Sequence, residues 1–407
     1  MEIRRDALLK RLMDLRHNGM IKVITGMRRC GKSYLLFRLF SEALKAEGVS
    51  DEHIVTVNLE DRRNKVLRDP DKLLEYIDSK LKDEQMHYVL LDEVQLVCDF
   101  EDVLNSYLQV KNADLYVTGS NARFLSKDIV TGFRGRGLEI KVHPLSFLEI
   151  RDARPDEPVE NLWIEYMTYG GLPQVVTMTS TQEKVDYLKS LFKHTYLKDI
   201  KERYDIKLDG DLEELISTLA STVGGLTNPR KLADTFRTVK KSTISQDTIK
   251  VYIDYLQDAF IIERALRYDI EGKRYIDTPS KFYFEDLGLR NALLNFRQVE
   301  KTHLMENAIY NELRARGMSV DVGEVIWNTK DEEGKKIRKT LEVDFVCNQG
   351  YKRTYIQSAF SIPDDTKRDQ ELQSLRRIDD SFQKVVIIGD HSPRYQNEDG
   401  IDRKSVV

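Results

Sequence analysis

Ile21-Lys-Val-Ile-Thr-Gly-Met-Arg-Arg-Cys-Gly-Lys-Ser-Tyr-Leu-Leu36 is the stretch that decides the fold. A short apolar strand runs into Gly26-x-x-x-x-Gly31-Lys32-Ser33, and an amphipathic helix follows at once. In that context the glycines let main-chain N–H groups curl around a β-phosphate, and the new helix presents its positive end to the anion. Lys32 reaches the β- and γ-oxygens, and the Ser33 hydroxyl ligates Mg²⁺. The expected nucleotide-binding set is therefore Gly26, Met27, Arg28, Arg29, Cys30, Gly31, Lys32, Ser33 and Tyr34, and the expected ligand is a nucleoside triphosphate.

His87-Tyr-Val-Leu-Leu-Asp-Glu-Val-Gln95 supports this reading. It is an apolar run ending in two carboxylates, as a buried parallel strand delivers them to the sheet edge where open α/β folds bind ligands. Asp92 is expected to hold the Mg²⁺ shell with Ser33, and Glu93 to orient or deprotonate the attacking water.

The rest of the chain sets bounds. Its 407 residues suggest two or three domains at about 150 residues each. Charged residues make up 32% and hydrophobic ones 41%, an ordinary soluble composition, with no apolar run near the roughly 20 residues that span a bilayer. The opening Met-Glu-Ile-Arg-Arg-Asp lacks a signal-peptide core. Cys30, Cys98 and Cys347 lie far apart without metal-type spacing, which fits reduced thiols. A cytoplasmic protein with no membrane partner is expected. The net charge of −4 argues against wholesale coating of nucleic acid but leaves room for a local basic face.

Moving along the chain, residues 6 to 17 read as an amphipathic helix. Strands at 21–25, 54–58, 87–91 and 114–118 alternate with helices at 33–47, 70–82 and 100–109, the signature of a parallel sheet. Glu60 and Asp61 either face the nucleotide or cap the strand end. Asp114-Leu-Tyr-Val-Thr-Gly-Ser-Asn121 ends in small polar residues; Thr118, Ser120 and Asn121 are candidates to position water or to sense the γ-phosphate, with simple turn chemistry as the alternative. In Thr131-Gly-Phe-Arg-Gly-Arg-Gly137, glycines flank Arg134 and Arg136, either of which suits an arginine finger reaching a neighbouring subunit or a solvated loop residue.

After Pro155 and Pro158 the pattern turns helical. Helices are expected at 181–204 and 211–223, then Asn228 to Phe236, then Ser245 to Ala259 with Ser245 as N-cap. An apolar, β-rich stretch from Phe260 to Tyr268 and a further strand at 281–284 complete the outline of a winged helix. The exposed face of 245–258 carries Asp247, Asp254 and Asp258 against Lys250, a poor surface for a phosphate backbone.

With these residues in hand, the chain resembles the bacterial and archaeal family of ATP-binding proteins in the AAA+ superfamily that carry an uncharacterised C-terminal domain. The resemblance rests on Thr25-Gly-Met-Arg-Arg-Cys-Gly-Lys-Ser33, Leu91-Asp-Glu-Val-Gln95, Val117-Thr-Gly-Ser-Asn121, Gly135-Arg136, His143-Pro-Leu-Ser-Phe147 and Tyr169-Gly-Gly-Leu-Pro173. It implies ATP and Mg²⁺ as cofactors, catalysis by Lys32 and Glu93, sensing near Ser120 or Asn121, a trans arginine at Arg136, and a homo-oligomer.

The tail resembles the core of the restriction-endonuclease-like fold. Glu306 lies in a helical run, Asp344 on a strand Leu341-Glu-Val-Asp-Phe-Val346, and Gln357-Ser-Ala359 stands where that fold places Glu-x-Lys. Gln is a weaker ligand and Ala cannot stabilise a developing charge, so metal binding and cleavage are expected to be weak or absent. Lys367 is the nearby candidate to replace the lysine. Lys335, Lys336, Arg338, Lys339, Lys352 and Arg353 supply local positive charge for nucleic acid or an acidic partner. The expectation is an α/β protein: an AAA+-type P-loop ATPase at 1–155, a helical and winged-helix segment at 156–290, and a degenerate nuclease-like domain at 291–407. The ATPase is expected to act on a protein or DNA partner, with an ATP-dependent DNA nuclease or a slow nucleotide-dependent scaffold as alternatives.

Overall fold

The computed structural model describes residues 3–120, 133, 135–206, 209–239, 241–297, 300–330, 336–389 and 395–406. Asn121, Arg134 and Lys335 lie outside them. The chain forms two compact units, one of Met1–Leu145 with Leu172–Thr177 and Asp258–Phe260, the other of the remaining residues.

The first unit is the expected α/β layer structure. Strands β1 (Ile21–Thr25), β2 (Ile54–Asn58), β3 (His87–Asp92), β4 (Ala113–Thr118) and β5 (Gly137–Lys141) form one sheet in the order β2-β3-β4-β1-β5. Every neighbouring pair is parallel. β1 and β3 are buried along their whole length, which explains their unbroken apolar runs, since both faces of a parallel sheet are covered. Edge strand β2 alternates instead. Val23, Val57, Val89, Leu91 and Val117 pack against Leu73, Ile77, Val103 and Leu104 of the covering helices. Helices occupy Asp6–Asp14, Pro70–Asp78 and Phe100–Ser106. The helix after the phosphate loop begins at Lys32–Tyr34, widens to a π turn at Leu35–Phe40 and returns to α at Ser41–Ala46.

The second unit combines helices with a large sheet. Helices Thr181–Leu191, Phe192–Leu197 (π) and Lys198–Tyr204 follow one another without a break, and Asp209–Ser221, Pro229–Val239 and Gln246–Asp258 come next. A hairpin of β6 (Ile262–Asp269) and β7 (Arg274–Phe284) follows, and Thr227 bridges to Ser280 of β7. The remaining strands are β8 (Ser319–Lys330), β9 (Lys336–Gln349), β10 (Lys352–Ala359), β11 (Gln383–Ile388), β12 (Tyr395–Gln396) and β13 (Ile401–Ser405). They join the hairpin in an eight-stranded sheet of order β12-β13-β11-β10-β9-β8-β6-β7. β6 pairs in parallel with β8, so the hairpin is continuous with the C-terminal strands. Among the described residues, no helix is long and apolar enough to cross a membrane.

Candidate nucleotide site and the acidic cluster of the tail

The phosphate loop leaves β1 at the C-terminal edge of the first sheet. Gly26 has φ 139°, and a Cβ there would strike the Val142 carbonyl oxygen; Gly31 has φ 99°. Both positions favour glycine for backbone reasons alone. Met27 and Cys30 are buried, and the Cys30 thiol donates to Val142 O at 3.3 Å. Cys30 is thus a packing residue of the loop. Arg28 is half-buried, while Arg29 and Tyr34 are exposed. Lys32 is 5% exposed, and its ammonium donates to Gly26 O and Met27 O, each at 2.9 Å. Pro173 belongs to the same unit and lies against Gly31.

Strand order brings the remaining groups to this edge. β4 lies between β1 and β3, so the end of β4 stands beside the carboxylates that end β3. Ser33 Oγ donates to Asp92 Oδ1 at 3.0 Å, and Thr118 Oγ1 donates to the same oxygen at 2.5 Å. Thr118 Oγ1 also accepts from the Glu93 main-chain N–H at 3.0 Å. Glu93 has φ 56°, a left-handed conformation uncommon for a residue other than glycine. Its carboxylate accepts from Ser120 Oγ at 2.5 and 2.7 Å and from the Gln95 amide. Burial pushes the Asp92 carboxyl above its ordinary range, and the Thr118 and Ser33 hydrogen bonds oppose that. Lys32, Ser33, Asp92, Glu93, Thr118 and Ser120 are therefore one constellation. Gln95 is the member that sequence reading missed as a partner, although it stands in the quoted carboxylate run.

Other expectations fall elsewhere. Asp61 caps the 3-10 turn Arg62–Arg68 and pairs with Arg63, which fits the strand-end reading, and Glu60 is exposed. Arg136 is exposed, and its carbonyl accepts from Ile21 N at 2.9 Å. Ile21 begins β1 and the phosphate loop follows its end, so at about 3.3 Å per residue Arg136 lies at the opposite edge of the sheet from its own loop.

In the second unit, Glu306, on helix Lys301–Ala315, and Asp344, on β9, do converge. The cation among them is Lys281 of β7, which sequence reading passed over: its ammonium lies 2.8 Å from Glu306, 2.7 Å from Glu342 and 3.7 Å from Asp344, and its side chain is 3% exposed. Burial pulls the Lys281 ammonium down, and the Glu306, Asp344 and Glu342 charges outweigh that, leaving it raised. Burial and Glu306 push the Asp344 carboxyl up to about 8. Asp344 Oδ2 accepts from Ser358 N at 2.7 Å, and Gln357 Oε1 is the acceptor for Asp344 N at 3.4 Å. Lys367 instead pairs with Glu371 on its own helix at 2.6 Å. The only sequence signal for Lys281 is a charged residue opening the apolar run Phe282-Tyr-Phe284.

Comparisons with known proteins fit the first unit. Residues 18–151 match a family model described as an AAA domain, and residues 160–300 match one described as a domain of unknown function. An uncharacterised protein of Haemophilus influenzae is 34% identical over 410 residues, covering 100% of this chain and 97% of that protein. One of Methanocaldococcus jannaschii is 27% identical over 370 residues, covering 88% of this chain and 78% of that protein. Among solved structures, the Orc1 protein of Aeropyrum pernix in complex with DNA aligns with TM-score 0.30 and 13% identity over 72% of this chain and 93% of that one. Cdc6p of Pyrobaculum aerophilum aligns with TM-score 0.31 and 13% identity over 75% and 95%.

Proposed function

The chain belongs to one family with the uncharacterised Haemophilus influenzae protein and carries an AAA domain at residues 18–151, and from that premise we propose that it binds ATP with Mg²⁺ and hydrolyses it to drive a conformational switch. The observation that carries this is the Ser33–Asp92–Thr118–Glu93 chain of hydrogen bonds beside a glycine loop that cages Lys32. The carbonyls now holding the Lys32 ammonium are weaker partners than the β- and γ-oxygens, because a charge-assisted bond to an anion is roughly twice as strong as a neutral one. Ser33 and Asp92 fit a Mg²⁺ shell: a hydroxyl and a carboxylate already within 3.0 Å of each other are hard oxygen donors. Bound Mg²⁺ would neutralise charge developing on the phosphates. Glu93 then orients or deprotonates water, with Ser120 holding its carboxylate in place.

Arg136 works in trans in this reading, since its sheet edge removes it from its own loop, and the working form is an oligomer. The helices at Asp209–Ser221, Pro229–Val239 and Gln246–Asp258 with the β6–β7 hairpin form a winged-helix-like module at 156–290 that meets a protein or nucleic-acid partner. The tail at 291–407 is a degenerate nuclease-like domain, with Lys281 set among its carboxylates. A nuclease reading draws support from one observation, that Lys281 supplies an ammonium 3.7 Å from Asp344 where Ala359 has none. DNA cleavage with Mn²⁺ that disappears in Asp344→Ala would establish that alternative.

The test of the main reading is Glu93→Gln, which keeps the side-chain size and the Asp92 ligand. It is expected to bind ATP as the unaltered protein does and to lose hydrolysis. Equal turnover by both proteins overturns the assignment of Glu93.

A further inference from the structure

We propose that His53, Asp83 and His87 form a binding site for a borderline divalent transition ion, Zn²⁺ above all, at the edge of the first sheet opposite the phosphate loop. The three ligand atoms all lie within 4.8 Å of one another. His53 closes the 3-10 turn Asp51–His53 just before β2, and His87 opens β3. β2 and β3 are paired in parallel with Ile54 opposite Tyr88, so the two histidines begin adjacent strands side by side. Their rings meet edge to face with centroids 4.7 Å apart. Asp83 reaches between them from the loop that precedes β3: its Oδ2 is 2.9 Å from His53 Nε2 and its Oδ1 is 3.9 Å from His87 Nε2.

The outer contacts orient these groups. His87 Nδ1 lies 2.8 Å from Gln85 O, and a carbonyl only accepts, so Nδ1 carries the proton. His87 Nε2 therefore turns either a lone pair or a second proton toward the Asp83 carboxylate. A lone pair facing a carboxylate is relieved by a cation between them, and a divalent ion bound by both supplies it without protonating the ring. His53 Nδ1 is likewise tied, to Ser50 Oγ at 2.7 Å. Asp83 is fixed by Gln85 N on its carboxylate at 2.9 Å and by the Asn112 amide on its carbonyl at 2.7 Å. Histidines whose second nitrogen is held by a carbonyl or hydroxyl are the usual outer shell of a metal site. Ligand atoms of a tetrahedral zinc at about 2.0–2.2 Å lie about 3.3–3.6 Å apart, and one ligand atom from each of the three residues already lies within 4.8 Å of the others, so small side-chain rotations close the set on an ion. Two imidazoles and one carboxylate suit Zn²⁺, Co²⁺ or Ni²⁺ and discriminate against Mg²⁺, which prefers an all-oxygen shell. The fourth position faces the exposed side of Asp83 and takes water. The ion clips the loop before β3 to the sheet edge, separate from the Mg²⁺ site.

The test titrates the full-length, chelator-treated protein with Co²⁺ in excess Mg²⁺, then displaces the Co²⁺ with Zn²⁺. One Co²⁺ per chain is expected, with the ligand-field bands of a nitrogen and oxygen site, no thiolate charge-transfer band, and a rise in melting temperature on adding Zn²⁺. His53→Ala and Asp83→Ala change groups at the outer side of the site, and each is expected to weaken Zn²⁺ binding at least about tenfold. A thiolate band would move the site to a cysteine such as exposed Cys98 and overturn the proposal. So would Zn²⁺ affinity unchanged in both variants, or no binding in excess Mg²⁺, either of which leaves the three residues as an ion-paired cluster.

Discussion

Thr118→Val is the perturbation that most directly tests the arrangement at the end of β4. Valine matches threonine in shape, and Thr118 is fully buried, so the substitution removes two hydrogen bonds and little volume. The first bond runs from Thr118 Oγ1 to Asp92 Oδ1 at 2.5 Å, and the second is received from Glu93 N at 3.0 Å. The second holds Glu93 at φ 56°. A hydrogen bond to a charged group contributes about 1.5–3 kcal/mol, which at about 1.4 kcal/mol per decade is about a ten- to 150-fold effect. Because Thr118 touches the strand-end carboxylates and makes no contact with the phosphate loop among its hydrogen bonds, the loss falls on turnover. The measurement is steady-state ATP hydrolysis alongside ATP affinity from a fluorescent analogue. Turnover is expected to drop about ten- to 150-fold while affinity changes little. Turnover within about twofold of the unaltered protein, a difference under 0.5 kcal/mol, would refute the idea that Thr118 sets the Asp92 and Glu93 geometry. A parallel fall in affinity and turnover would show instead that the loop itself has shifted.

Three further outcomes are expected. Burial holds the Asp92 carboxyl above its ordinary value of 3.8, so the unfolded chain releases this proton first; its contribution makes stability fall as pH rises from 3.8 through the raised value. Mg²⁺ requires the ionised carboxylate, so its uptake releases a proton and tightens with pH over that window, and calorimetry in buffers of differing ionisation heat should see this linkage vanish in Asp92→Asn. Mixing Arg136→Ala with Glu93→Gln, each inactive alone, should restore ATPase activity where subunits exchange, since a mixed interface pairs an intact base with an intact arginine; no rescue at any ratio counts against the trans role. Lys281→Met strands the buried Glu306 carboxylate and should destabilise the second unit by about 3–5 kcal/mol in urea denaturation, with part regained in the double variant Lys281→Met with Glu306→Gln; an unchanged midpoint would mean that water already reaches Glu306.

What sequence reading recovered in the first unit was local. The phosphate loop is legible because backbone freedom at Gly26 and Gly31, the lysine and the hydroxyl all sit within eight positions of one another. The strand ends are legible because a parallel strand buried on both faces reads as an unbroken apolar run. The role of Thr118 is a different matter. Its side chain meets Asp92 only because β4 is inserted between β1 and β3, and strand order is set by which sheet edges and helices pack, not by any motif near residue 118. Turn chemistry and water positioning were both reasonable readings of Thr118-Gly-Ser-Asn121; the structure makes it a tie between two carboxylate-bearing residues.

The tail shows the same division more sharply. Helix Lys301–Ala315 and strands β9 and β10 coincide with the expected elements, and the Asp344–Gln357 pairing follows from their antiparallel register. The position of the balancing cation does not follow from that register. Lys367 was the natural candidate by closeness in sequence, yet at helical spacing of four it finds Glu371 on its own helix, a pairing that needs no distant element. Lys281 arrives from β7, at the far edge of a sheet in which β8 and β6 separate it from β9. A lysine ammonium is tolerated at 3% exposure only where carboxylates offset its desolvation, and buried Glu306 and Asp344 with the half-buried Glu342 supply them. The burial of Lys281 is thus accounted for by the carboxyl groups of Glu306, Glu342 and Asp344 around it, which offset its desolvation.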